Sequence, residues 1–456
     1  MILKLQLKMV KILLELVQQF LDQEMGKIID KEIDWIEPII IANNIAENKN
    51  FSDNFIFLYS ALDQENNNSK SYISFAIKEI IKSDNFTEIE ERILKNNQEN
   101  YFGYLSYELK NKIEKFEAIN NKYITIPQLY FASFHFNLEF DHEEQKLICK
   151  FPENLTDKFE NFFKNIDKNI NSKRKKLNIT DLKSNFSDKE YLKKIQNIQN
   201  RIKEGDIYQA NLTRKFHGKL NNTENNHFDI FKSLMQISPG NFSSFIKFDN
   251  LEIISSSPEL FLDIENSKIK SCPIKGTSPR SDDKIQDQKN FEYLQNSPKE
   301  KSENLMIVDL VRNDLSKNCE NNSIKVDNLF KILSFKKIHH MVSEISGKKQ
   351  NNKNVIEVIK GCFPPGSMTG APKIKAMEIC DDLEQIQRGI YSGAIGLINK
   401  NICKLSVVIR TLIINGNKFE FQSGGAITYD SDHAKELQES KDKNKGIIEL
   451  LIKNYE

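Results

Sequence analysis

The stretch Cys272-Pro-Ile-Lys-Gly-Thr-Ser-Pro-Arg280 sets a lysine between an apolar residue and Gly-Thr, with prolines on both sides. Backbone bracketed in this way has few conformations open to it. A Lys275 amine held against a pocket wall would lose solvation, lower its pKa and become a nucleophile; otherwise Lys275 and Arg280 are exposed loop cations. Two carboxylate pairs come next. Glu300 and Glu303 lie three apart in a helical stretch running into Leu305-Met-Ile-Val308, and Glu436, Glu439 and Lys443 follow i, i+3, i+7 spacing near the C-terminus. Each spacing puts its side chains on one helix face. Facing each other across a cleft, the pairs would offer oxygens to Mg2+, which takes a couple of carboxylates and keeps waters and substrate oxygens. Standing apart, they are solvated stripes.

Further candidates are Glu259, a carboxylate in the turn Ser256-Ser-Pro-Glu259, and His340 in Ile338-His-His-Met-Val342, a catalyst or a satisfied core histidine. Arg410 sits among Val407, Val408, Ile409 and Leu412 in an apolar strand, where a guanidinium wants an anion, internal or from a substrate. Gly424 and Gly425 permit close backbone approach to a ligand, or only a tight turn. Several chemistries lose support. Gly361-Cys-Phe-Pro-Pro-Gly366-Ser367 has the glycine spacing of a phosphate loop but lacks its lysine. No G-x-G-x-x-G follows a strand, and neither H-E-x-x-H nor G-x-S-x-G occurs.

The elements that must hold these residues are partly readable. Ser187-Asp-Lys-Glu190 is a capping box, followed by Tyr191, Ile195, Ile198 and Ile202 at helical spacing and by Gly205 as a stop. Phe242–Phe248 and Leu251–Ile254 read as strands, and Leu405–Ile414 and Lys418–Gln422 flank the hairpin signal Asn415-Gly416. Helices mixed with adjacent antiparallel strands predict an α+β fold. Residues 1–163 form an N-terminal region, 164–185 a polar linker with the basic run Lys173-Arg-Lys-Lys176, and 186–456 the catalytic domain. That run reads as a solvated face.

The 456 residues carry 65 Lys+Arg against 64 Asp+Glu, a net charge of +1 that leaves no footprint for nucleic acid or an anionic membrane. With 30 Phe and 13 Tyr there is material for a large core. The six cysteines include no C-x-x-C pair, which argues for reduced thiols in a cytoplasmic protein. Lys4, Lys8 and Lys11 interrupt the apolar start, and no window nears the ~18 consecutive apolar residues of a membrane span.

Taken together, the motifs resemble the chorismate-utilising enzymes. The likeness spans roughly Ser187 to Lys443, through Gly205-Asp-Ile-Tyr-Gln-Ala-Asn-Leu-Thr213, Ser257-Pro-Glu259, Pro273-Ile-Lys-Gly-Thr277 and Ser302-Glu-Asn-Leu-Met-Ile-Val-Asp-Leu-Val-Arg-Asn-Asp-Leu315. It continues through Phe363–Lys373, Arg388–Gly396, Val408-Ile-Arg-Thr411 and Glu439–Lys443, and more weakly at Phe102–Tyr107. Lys275, the Asp206–Thr213 tract and Asn304 are similar to the aminodeoxychorismate-forming branch; the anthranilate-forming branch carries Ala in place of the lysine.

The resemblance implies an anthranilate-synthase-like α/β sandwich, two stacked and mainly antiparallel sheets surrounded by helices. It implies that Lys275 attacks C2 of chorismate as the C4 hydroxyl leaves, protonated by Glu259, and that ammonia then adds at C4 and expels the lysine. Glu303 and Glu439 match Mg2+ ligands, with Glu300 and Glu436 in support. Tyr391, Arg410, Gly424 and Gly425 match contacts to the enolpyruvyl end, and Gly276, Thr277 and Lys443 match further substrate contacts. His340 matches a histidine near the ring. The chain shows no G-x-C-x-G elbow, so ammonia would come from a separate glutamine amidotransferase subunit. The alternatives are the anthranilate-forming reaction and a catalytically silent homologue. Ala426 stands where the family usually has glycine, and would strain the loop if that position needs φ > 0; Ser440 replaces a common Thr.

Overall fold

The computed structural model describes residues 27–60, 70–96, 99–116, 119, 121–170, 174–221, 227–335 and 338–453. The Met1–Lys11 tract and Lys173 of the basic run lie outside them. The strand Leu129–Asp141 organises the rest. It is buried throughout its first half and alternates buried with half-buried residues beyond Phe134. One edge pairs with Lys70–Ser83 along almost its whole length. The other edge pairs first with Tyr101–Leu105 and then with Lys146–Pro152.

Two layers diverge from that shared strand. One runs through Lys70–Ser83, Asn54–Tyr59, Phe242–Phe248, Leu251–Ser257, Thr411–Asn415 and Lys418–Ile427 to Gln209–Lys219. The second runs from Tyr101–Leu105 through Ala394–Ile398, Ile402–Val407, Leu260–Glu265 and Lys268–Cys272 to Ile338–Lys348. This last strand also holds Ile274–Pro279 and Lys325–Ser334. Every pairing along these paths is antiparallel. Among the described residues, one hydrogen-bonded network of 20 strands results.

The layers stack through an apolar interior in which Phe102, Tyr104, Ile395 and Leu397 share a core with Ile246, Phe248, Ile253 and Ile413. Helices Pro298–Ser316 and Val355–Cys362 cover the second layer. Pro38–Glu47, Thr156–Lys164 and Phe228–Ile237 cover the first. Asp188–Lys203 and Lys373–Glu384 close over Gln209–Lys219. The architecture is the expected α+β sandwich of two stacked antiparallel sheets surrounded by helices.

Local signals account for several boundaries. Glu190 N–H donates to the Ser187 hydroxyl while the Glu190 carboxylate accepts from Ser187 N–H at 2.8 Å, and the helix buries Tyr191, Ile195 and Ile198. The Asn415-Gly416 turn joins Thr411–Asn415 to Lys418–Ile427. The continuous strand expected over Leu405–Ile414 is instead broken. Ile402–Val407 belongs to one layer and Thr411–Asn415 to the other, and Arg410 bridges them with φ of 51°. Arg410 is therefore in a crossover rather than in a strand. Residues 164–185 include the short strands Leu177–Ile179, parallel to Leu451–Lys453, and Lys183–Ser184, paired with Gln209–Lys219.

A fully buried ion pair fixes the segments that line the cleft. Arg388 forks onto Glu384 at 2.7 and 2.8 Å and donates to the carbonyls of Met368 and Asn211, each at 2.8 Å. Glu108 accepts from the backbone N–H groups of Arg388 and Gly389. Removing one partner of such a pair leaves an uncompensated charge in the interior. Arg388→Ala is expected to destabilise the fold by about 3–5 kcal/mol, read as a lower midpoint in denaturant unfolding. Arg388→Lys should recover little, because an ammonium lacks the fork.

Candidate active site

A cleft of about 580 Å³ opens where the two layers meet the Pro298–Ser316 and His433–Asp442 helices. That volume suits a small-molecule ligand. Lys275 is the second residue of the strand Ile274–Pro279, and Gly276 follows it with φ of +89°. Glycine is required there twice over. The left-handed backbone disfavours a side chain, and a Cβ would lie 3.0 Å from the Glu300 carboxylate. Lys275 and Glu300 are thus brought together by one glycine.

Burial lowers the pKa of Lys275, and the Lys443 ammonium adds to the effect. A larger part of this amine is then neutral near pH 7, which nucleophilic attack requires. Glu259, 4% exposed, lies in the two-residue link between the strands Leu251–Ser257 and Leu260–Glu265 rather than in the expected Ser256-Ser-Pro turn, its carboxyl pushed up to about 7 by burial against the opposing pulls of Ser367 and Lys275. An acid with that pKa donates a proton readily at neutral pH. His340 shares a hydrogen bond with Thr277 Oγ1 through Nδ1 at 3.0 Å, and its Nε2 is buried without a partner. Burial, followed by the Arg410 charge, holds its pKa well below the usual histidine range, so the ring is neutral. Tyr391 and Arg410 line the same cleft.

Pro298 at N1 and the Ser297 cap start the helix that carries Glu300 and Glu303. The Asp432 cap starts the one that carries Glu436 and Glu439. Gly425 lets the second helix close in, since a Cβ there would stand 3.0 Å from Glu436 and 3.4 Å from Glu439 oxygens. Lys443 ion-pairs with Glu439 at 2.6 Å and donates to the Gly424 carbonyl at 2.9 Å. Burial raises the pKa of Glu300, Glu303 and Glu436, while Lys443 lowers that of Glu439.

This donor set fits a hard cation. One Glu303 oxygen is buried without a hydrogen-bond partner. The Lys299 ammonium stands 3.7 Å from Glu303 and 3.7 Å from Glu436, bridging carboxylates of both helices with positive charge. Among the described residues no three metal-binding side chains converge into a ready cage. A metal that takes one or two carboxylates and fills its sphere with water and substrate oxygens needs none.

The structure therefore brings all the predicted residues to one cleft: Lys275, Glu259, His340, Gly276, Thr277, Tyr391, Arg410 and Gly424 line it with Glu300, Glu303, Glu436, Glu439 and Lys443, and Gly425 abuts the last helix. Ala426 is extended within Lys418–Ile427, opposite Asn211, so its φ is not positive and it carries no strain. Sequence reasoning missed Lys299, Ser367 and Asn211. Lys299 was findable as the i−4 neighbour of Glu303. Ser367 stood in the loop set aside for lacking a phosphate-binding lysine.

A family profile described as chorismate binding enzyme matches residues 46–449, and the chain belongs to that family. It is 34% identical over 358 residues to aminodeoxychorismate synthase component 1 of Escherichia coli (strain K12), an alignment covering 77% of this chain and 76% of that protein. Anthranilate synthase component 1 of Lactococcus lactis is 30% identical over 76% of this chain and 78% of its own length. The crystal structure of anthranilate synthase component I from Streptococcus pneumoniae superposes with a TM-score of 0.74 at 23% identity, covering 84% of this chain and 93% of that one. That likeness establishes the shared fold.

Proposed function

We propose that this protein converts chorismate and ammonia to 4-amino-4-deoxychorismate, the precursor of 4-aminobenzoate. The observation that carries the reading is Lys275 on the wall of the cleft that also holds Glu259. The neutral Lys275 amine attacks C2; the ring double bonds shift and the C4–O bond breaks. Glu259 gives its proton to the departing oxygen, which leaves as water. Ammonia then bonds to C4, the double bonds shift back, and the C2–N bond breaks to return the Lys275 amine. The new C4 ammonium restores the proton to Glu259. Two displacements replace one difficult substitution.

Arg410 and Tyr391 hold the enolpyruvyl carboxylate, with the Gly424-Gly425 backbone beside them. Glu303 and Glu439 would hold Mg2+, with Glu300 and Glu436 in support, and the ion would neutralise the ring carboxylate. His340 and Thr277 flank the ring as a neutral hydrogen-bonded pair. Chelation with EDTA is expected to abolish turnover, and added Mg2+ to restore it, in a continuous assay of product formation.

Ammonia reaches the cleft from a separate glutamine amidotransferase subunit. The absence of a G-x-C-x-G elbow supports this, as does the "component 1" in the names of the relatives. Among the described residues no helix is long and apolar enough to cross a membrane. All six cysteines are free and buried, which suits the reducing cytoplasm.

The deciding experiment incubates the pure chain with chorismate, Mg2+ and an ammonium salt and identifies the product by mass spectrometry. A product that keeps the enolpyruvyl group and exchanges one hydroxyl for an amine supports the reading. Anthranilate with pyruvate would overturn it in favour of the sister reaction, and unchanged chorismate, even with an amidotransferase added, would favour a silent homologue.

A further inference from the structure

Asn211 is a cleft residue whose chemistry the reaction above leaves unused. It lies on Gln209–Lys219, where Ala210 and Leu212 turn into the core beneath Asp188–Lys203. Alternation along the strand sends the Asn211 side chain to the opposite face, and it lines the cleft with Glu259, Lys275 and Ser367. It is 5% exposed, and its side-chain Nδ2 is buried without a hydrogen-bond partner. Leaving an amide donor dry and unpaired is costly, so such a group normally meets a partner.

The position is also held rigidly. Asn211 N–H donates to the Thr369 carbonyl at 2.8 Å, and its own carbonyl accepts from Arg388 at 2.8 Å. These bonds seat Asn211 against the segment that carries Ser367 and Met368, on the side of the cleft where Glu259 meets Ser367. In the reading above the substrate carboxylates have their partners elsewhere, in Arg410 and in the cation that Glu303 and Glu439 would hold. A neutral amide matches instead a neutral group able both to donate and to accept.

We propose that Asn211 is a positioning residue for the exchanging group at C4, its Nδ2 donating to the hydroxyl oxygen as it departs and its Oδ1 accepting an N–H of the ammonia that replaces it. The inference rests on the reaction assigned above. It adds that discrimination for ammonia at C4 is set by one strand residue that never bonds covalently to the substrate.

The test measures steady-state kinetics of Asn211→Leu with chorismate and ammonium chloride varied separately. A parallel sample, intact protein quenched with chorismate at low ammonium, is read by mass spectrometry. The expected result is a KM for ammonium raised about 10-fold or more, a KM for chorismate within about 2-fold of wild type, and accumulation of the Lys275 adduct with the mass of chorismate less water. A residue with only a structural role would move both KM values and the melting temperature together. Asn211→Ser, smaller than the native side chain, gives the same readout should the leucine variant fail to fold. An unchanged ammonium KM in either folded variant overturns the proposal while leaving the reaction intact. A rise confined to the chorismate KM also overturns it, assigning the amide to a carboxylate. A wild-type chain that forms no aminated product overturns the reaction and this inference together.

Discussion

Lys275→Ala is expected to abolish amination of chorismate, with kcat lower on the order of 1,000-fold or more, while the chain remains folded. The size of the effect follows from what the lysine does. Without it the hydroxyl must leave and ammonia must arrive at C4 in a single displacement, with no covalent adduct to divide the barrier. The fold should tolerate the change because Lys275 lies on the cleft wall and its burial opposes its charge; removing a desolvated cation relieves a cost rather than breaking a bond. Lys275→Arg sharpens the test. A guanidinium keeps the positive charge yet cannot lose its proton, so it should be as inactive as alanine. Recovery of substantial activity in the arginine variant would mean that the cleft needs a cation at this place and not a nucleophile. Wild-type protein incubated with chorismate alone should gain the mass of chorismate less water, and Lys275→Ala should gain nothing.

Much of the arrangement was legible because the signals are local. The Ser187–Glu190 box, the Asn415-Gly416 hairpin and the i, i+3 glutamate pairs depend on residues within one or two turns of each other, and the structure places each on the element its spacing predicted. Arg410 was misread for an equally local reason. Val407, Val408 and Ile409 carry the composition of a buried strand, and nothing in an arginine signals φ of 51°. The chain leaves one layer after Val407, the last residue of its strand, and enters the other at Thr411; Val408, between them, is buried in the core the layers share, not in a continuous strand. Asn211 stands in a tract that carries the family likeness, yet its place in the site rests on long-range contacts; Lys299 was readable as a neighbour of Glu303 but not of Glu436. Asn211 matters through Arg388 and Thr369, more than 150 residues away, and Lys299 through Glu436. Only the closing of the two layers puts these partners in reach.

Glu259→Gln is expected to lower kcat by about 100- to 10,000-fold, the usual worth of a positioned proton donor, and to stabilise the protein at alkaline pH. Both follow from a carboxyl whose pKa burial has pushed up to about 7. Below pH 7 the acid carries the proton that the leaving hydroxyl needs, and it loses that proton as pH rises. Lys275 works in the opposite sense, since its lowered pKa makes more free amine available as pH rises. Activity should therefore peak where the protonated acid and the neutral amine coexist, and the alkaline limb should follow Glu259. Stability obeys the same proton. The folded pKa lies above the unfolded value of 4.5, so the folded state binds the proton more tightly. The stabilisation is fully present below pH 4.5 and is lost as pH rises through about 7. From 4.5 to about 7 the difference is worth about 3 kcal/mol. Glutamine has no proton to lose, so the stability of the variant relative to wild type should rise by up to that amount between pH 5 and pH 8.5, measured by denaturant unfolding at each pH. A constant difference across that range would mean that Glu259 titrates as an ordinary carboxylate, and it would then be ionised at neutral pH and unable to protonate the leaving group.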